Sequence, residues 1–206
     1  MMANQAFRYE LAPTQQQRER LARSAGTARF AYNWGLDVCR AYLGKKLLIP
    51  CAMELHRAWN AYKREHAPWA YEVSKCTGQE ALRDLRQAFD NFFASRRGKR
   101  VGAKVGFPRY RKKGRDDRFR LTGAIRVGPH GVKLPRIGWL RTKESTAKFR
   151  GRILSATVRR EADRWYVSVA VEVERPDPKH KAGGAVGVDL GLKAFAVLSD
   201  GMVVRP

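Results

Sequence analysis

Asp189 is the residue whose surroundings point most directly to chemistry. It lies in Gly187-Val188-Asp189-Leu190-Gly191-Leu192-Lys193, and Phe195-Ala196-Val197-Leu198-Ser199-Asp200-Gly201 follows. The pattern reads as a buried β-run that carries one carboxylate, turns through glycine and returns as a second apolar strand. Burying an unpaired carboxylate is costly, so Asp189 needs a metal ion, an Arg or Lys partner, or a polar rim. A strand Asp facing a cleft can hold a divalent cation through hard oxygen ligands. Two such cations clamp the attacking and leaving oxygens of phosphodiester hydrolysis. A turn-capping or salt-bridged Asp is the plainer reading, and on these residues alone both stand. Asp200, before Gly201, reads as a turn residue.

A second kind of chemistry is spread along residues 96–120. Twelve Lys and Arg face two acidic residues there. The candidates for nucleic-acid contact are Arg96, Arg97, Lys99, Arg100, Lys104, Arg109, Tyr110, Arg111, Lys112 and Lys113. Cations at this density meet phosphates, and such contacts position a nucleic acid more than they read it. Phe107 and Tyr110 are interleaved with the cations and can either stack on a base or anchor the loop. Gly98, Gly102, Gly106 and Gly114 keep the stretch from being a helix.

Composition agrees with the strip. The 206 residues carry 42 Lys and Arg against 19 Asp and Glu, a formal charge of +23. That excess points to a polyanionic partner, nucleic acid before membrane. With 44% hydrophobic residues the chain can bury a core, which excludes a largely disordered protein. No apolar run reaches the roughly 18 residues of a membrane span, and the N-terminus lacks the apolar stretch of a signal peptide. A cytoplasmic protein is expected. The three cysteines, Cys39, Cys51 and Cys76, have no C-x-x-C spacing and read as reduced thiols, and no zinc site is expected. The four histidines are scattered and read as surface residues.

These residues need elements to position them. Phe7, Tyr9 and Leu11 alternate with charged neighbours as in a strand. Thr14 and Gln17 form a capping-box signature, and apolar residues from Leu21 to Cys39 recur at three- and four-residue steps. The spacing predicts one long helix fading near Gly44. A second helix is expected over about 52–66, with Leu55, Trp59 and Tyr62 on one side. A third is expected to start at a Thr77–Glu80 capping box, with Leu82, Leu85, Phe89, Phe92 and Phe93 as core. Beyond the strip come strands: Phe119 to Val127, a turn at 128–131, Val132 and Leu134, then a hairpin of Ile153–Arg160 and Trp165–Val173. Several short strands predict a small barrel or sandwich. Residues 175–181 read as a linker.

Taken together, the motifs resemble the TnpB/OrfB family of transposon-encoded proteins, relatives of the compact type V CRISPR effectors. G-V-D-L-G-L-K with F-A-V-L-S-D-G resembles the first RuvC motif of that family. F-R-Y-E-L-A-P-T-Q-Q-Q with A-R-F-A-Y-N-W-G-L resembles its N-terminal segment, which carries a helix-turn-helix label. F-P-R-Y-R-K-K resembles its basic mid-chain motif, and V-K-L-P-R-I-G-W-L and W-Y-V-S-V its later β-segments. The four motifs occur in the family's order and span nearly the whole chain.

The resemblance implies an RNA-guided DNA endonuclease associated with transposition, with guide-type RNA and double-stranded DNA as partners and no membrane. It implies an α+β fold: a small wedge-like β-barrel with an inserted helical bundle, followed by the first β-hairpin of an incomplete RNase H-like (RuvC) domain. The corresponding boundaries are 1–13 for the first barrel strand, 14–97 for the helical recognition domain, 98–178 for the basic strip and remaining barrel strands, and 179–206 for the start of RuvC. Asp189 matches the first Mg²⁺-binding carboxylate. The family's later Glu and Asp and its Cys-rich zinc ribbon have no match before Pro206, so this chain is expected to be an N-terminal part that does not cleave alone. Two other readings are a DNA-binding transposase accessory protein that uses a helix-turn-helix without RNA, and a basic RNA-binding protein.

Overall fold

A computed structural model of the chain describes residues 2–176, 186–191 and 194–205. They fall into two compact units, Met2–Glu174 and the residues from Arg175 onward.

In the larger unit, strand β1 (Met2–Leu11) is followed by helix α1 (Gln15–Gly44). The helix starts where the sequence places it. Thr14 Oγ1 accepts from Gln17 N at 3.3 Å, and Gln17 Oε1 accepts from Thr14 N at 3.0 Å, the reciprocal capping box. Helix α2 (Ala52–His66) and a 3-10 turn (Pro68–Tyr71) lead to helix α3 (Lys75–Arg96). The α3 cap differs from expectation. Ser74, not Thr77, is the N-cap, and its hydroxyl accepts from Cys76 N at 3.4 Å. Thr77 and Glu80 lie inside the helix and are buried. Glu80 instead pairs with Arg83 at 2.8 Å and stands 3.8 Å from Arg120. Burial of a carboxylate calls for cations more than for a cap, and the cations won.

The helices pack through aromatic rings and one glycine. Trp34, Trp59 and Tyr62 cluster with centroid separations of 5.3–6.1 Å, closing α1 on α2. Gly35 brings α1 against α3: a Cβ there would stand 2.6 Å from Leu82 Cδ2 and 2.9 Å from Leu85 Cδ2.

Nine further strands follow among the described residues of the two units. They are β2 (Arg118–Leu121), β3 (Arg126–Gly128), β4 (Gly131–Leu134), β5 (Gly138–Arg141), β6 (Arg152–Glu161), β7 (Arg164–Glu174), β8 (Val188–Asp189) and β9 (Ala196–Leu198). A short β10 (Val203–Val204) completes the set. The β6–β7 hairpin forms as expected, and the inward residues Trp165, Val167, Val169, Val171 and Val173 are all buried. β1 adds to β7 along its whole length, from Met2 opposite Glu174 to Leu11 opposite Trp165, giving the order β1-β7-β6-β2.

The expected closed barrel does not form among the described residues. β3, β4 and β5 make a separate three-stranded sheet. The two sheets touch at a single bridge, Leu11 to Thr142, flanked by Ala12 N to Arg141 O at 2.8 Å and Lys143 N to Glu10 O at 2.9 Å. Closure requires every edge to find a strand. The outer edge of β2 meets α1 and α3 instead.

The smaller unit has the order β10-β9-β8, with Val188 opposite Leu198 and Asp189 opposite Val197. A hairpin around Asp189 is therefore present, as a sheet of two- and three-residue strands that does not by itself define an RNase H fold. The linker expected at 175–181 lies largely outside the described residues, as do Ala185, Leu192 and Lys193 of the motif.

Two outcomes check this packing. Gly35→Val overpacks the α1–α3 contact and should cost about 1–3 kcal/mol in urea unfolding. Cys39 is fully buried, and burial pushes its thiol up to about 11, while Cys51 is exposed. Alkylation at mildly basic pH should label Cys51 and spare Cys39 until the chain unfolds.

Candidate nucleic-acid interface

The basic strip is not a free linker. It is strapped across α1 and α3. Phe107 meets Phe89 and Phe92 edge-on, both at 5.4 Å, so it anchors the strap. Val105 N donates to Ser95 Oγ at 3.0 Å. The Tyr110 hydroxyl donates to Asp37 and accepts from Arg40 Nη1 at 3.0 Å.

Arg111 is the centre of the strap, and its side chain is engaged within the fold. It is 8% exposed. Its guanidinium donates to Asp84 Oδ2 at 2.9 Å and lies 3.9 Å from the Tyr32 ring centroid. Its backbone pairs with the Asn33 side chain in both directions: Arg111 N to Oδ1 at 2.8 Å, and Nδ2 to Arg111 O at 3.1 Å. Burial pushes the Tyr32 hydroxyl above its ordinary pKa, and the Arg111 charge works against that. A cation so enclosed is spent on the fold.

The two acidic residues of the strip shape its turn. Asp116 Oδ2 accepts from Lys112 N at 2.9 Å, and Asp117 Oδ2 accepts from Gly114 N at 3.1 Å. Asp117 is buried and pairs with Arg29 at 2.6 Å. Gly114 has φ +81°, a backbone state that suits glycine.

This arrangement leaves a groove of about 760 Å³ between α1, α3, the strap and β2. Of the ten candidates, Arg109, Tyr110, Arg111 and Lys112 line it, and Arg96, Arg97, Lys99, Arg100, Lys104 and Lys113 do not. Those six are exposed. Some hold the loop locally: Arg97 Nε donates to Phe93 O at 3.3 Å, and Arg100 Nη1 to Ala103 O at 3.0 Å. The groove adds Arg115, Arg118 and Arg120, which were not singled out. It also adds Asp84, Gln87 and Asn91, whose spacing puts them on one face of α3. That polar stripe opposite the apolar one was the available signal.

Asp189 lies in the smaller unit and is exposed, as is Val188, so the expected buried run is not found. No group of three or more His, Cys, Asp or Glu able to hold a metal occurs among the described residues. No helix among the described residues is long and apolar enough to cross a membrane.

Comparison with known proteins places this architecture. A family model described as a helix-turn-helix domain, that of the OrfB proteins of IS605, matches residues 1–46. A Mycobacterium tuberculosis protein, "Putative RNA-guided DNA endonuclease MT2953", is 38% identical over 95% of this chain and 48% of its own length. "Putative RNA-guided DNA endonuclease InsQ" of Escherichia coli K12 is 31% identical over 98% of this chain and 49% of its own. A Streptomyces pristinaespiralis protein with the same description is 31% identical over 95% of this chain and 48% of its own. The chain is thus similar to OrfB-type, RNA-guided endonuclease proteins and spans about half the length of the curated relatives it matches. Within the matched residues 1–46 the structure holds one strand and one unbroken 30-residue helix, so the segment that carries the helix-turn-helix description has no turn between two helices here.

Removing the Arg111 charge separates fold from surface. Arg111→Met strands Asp84, whose side chain is 39% exposed, and should cost roughly 2 kcal/mol in urea unfolding. Lys112→Ala should leave the midpoint unchanged.

Proposed function

We propose that these residues form the nucleic-acid-binding part of a TnpB-like RNA-guided DNA endonuclease, holding guide-type RNA and target DNA. The observation that carries this reading is the groove beside the strap. Arg109, Lys112, Arg115 and Arg118 line it, and no carboxylate pairs with their side chains among the described residues. Their backbone is fixed in advance by Phe107, Arg111 and Asp117, so little ordering entropy is lost when phosphates arrive. The names of the relatives supply the classes of partner, RNA and DNA.

Cleavage is not proposed for these residues in isolation. Hydrolysis by two metal ions draws on several converging carboxylates, and Asp189 is the single one that the family motif assigns here. A Mg²⁺-dependent nicking assay with RNA and target duplex should give no product, and cutting by this chain alone would contradict that part of the proposal.

A reading as a helix-turn-helix accessory protein is disfavoured by the continuity of α1. A basic RNA-binding protein without endonuclease relatives is disfavoured by the family match.

The binding reading has a quantitative check. Each phosphate contact contributes about 0.9 to the slope of log K against log salt on duplex DNA. Replacing Arg109, Lys112, Arg115 and Arg118 by Ala should flatten that slope by up to about 3 to 4. An unchanged slope would show that the groove does not meet the duplex.

A further inference from the structure

A second surface lies away from the groove lining, on the outer face of the β3–β4–β5 sheet. Its inner face points into the core through Val127, Val132 and Leu140. Strand alternation therefore sends Arg126, Lys133, Trp139 and Arg141 outward. The register lines up three of them. Arg126 stands opposite Lys133, and Lys133 stands opposite Trp139. The row across the three strands is thus cation, cation, indole. Arg141 sits two residues beyond Trp139, opposite Gly131.

Trp139 is 51% exposed although large aromatic rings favour burial. Its position is built rather than loose. A Cβ on Gly128 would come within 3.2 Å of the indole Cη2 and Cζ3, so the absence of a side chain there gives the ring room over β3. Its backbone is fixed too, because Gln17, the α1 capping residue, donates from Nε2 to Trp139 O at 2.7 Å. Among the described residues no carboxylate pairs with Arg126, Lys133 or Arg141. Other exposed cations of this unit do have such partners, as Lys143 has Glu10 at 2.5 Å and Arg152 has Glu172 at 2.8 Å. An exposed ring between unneutralised cations suits a planar base with its phosphate better than an apolar protein surface.

We propose that this face is a stacking platform for an unpaired nucleotide of a single-stranded nucleic acid, with Trp139 under the base and Arg126, Lys133 and Arg141 beside the phosphates. The class of partner rests on the nucleic-acid reading above, but the residues are separate from the groove. The platform takes single strands because a base inside a duplex has no free face to offer. Recognition is tolerant of sequence, since every base has a π-face.

The test is a titration of the full chain with oligo-U RNA and oligo-dT DNA of about ten nucleotides, a span typical of small β-folds, beside a duplex of equal length. Trp139→Ala should weaken binding of single strands roughly tenfold, and Trp139→Phe should restore most of it. Duplex binding, governed by the groove, should not change in either variant. Weakening of both single strands, or of one, supports the platform and identifies the sugar it accepts. Unchanged single-strand binding by Trp139→Ala would overturn the proposal. So would Trp139→Phe behaving like Trp139→Ala in a chain whose unfolding midpoint is intact, or an equal loss on the duplex. Failure of the groove reading looks different, because it shows in the duplex salt slope of the groove variants with Trp139 unaltered.

Discussion

The pairing of the buried Arg111 with the half-exposed Asp84 is the constraint on which the proposed nucleic-acid surface depends. It joins the strap to α3, while the Tyr32 ring and the Asn33 amide join the same residue to α1. A segment rich in Lys, Arg and Gly would otherwise repel itself and stay extended. One cation is withdrawn from solvent and enclosed by a carboxylate, a ring and two backbone hydrogen bonds. Its neighbours on either side are then held at the surface, where their charge remains available. A cation given up to the fold fixes the geometry of the others.

Much of this fold was legible in the sequence. The Thr14–Gln17 box and the three- and four-residue spacing from Leu21 to Cys39 specify α1 as a single helix, and the alternation from Trp165 to Val173 specifies β7. Local pattern failed where tertiary demands took over. Thr77 and Glu80 have the spacing of a cap, yet Glu80 is drawn inside to meet Arg83 and Arg120. Arg111 has the appearance of any other cation in its strip, and only its position opposite Asp84 and Tyr32 makes it structural. The barrel was inferred from the number of short strands, but strand count does not reveal whether the last edges meet. Here the helices occupy the edge that closure would need.

The chemistry divides between the two units. The larger one offers charge and shape. The smaller one offers Asp189 on a two-residue strand, exposed and without a metal-binding cluster among the described residues. Relatives about twice as long carry the endonuclease description, and this chain matches about half of each. Binding is the part proposed for the residues of the larger unit.

Hydrogen exchange of the chain, free and with a duplex DNA, probes the preorganised strap most directly. In the free chain the amides of Arg111 and Gly114 should already exchange slowly, because Asn33 and Asp117 hold them. With DNA bound, protection should rise over 109–118 and along the Asp84–Asn91 face of α3. Rapid exchange at Arg111 in the free chain, or protection confined to residues away from the groove when DNA binds, would contradict the account.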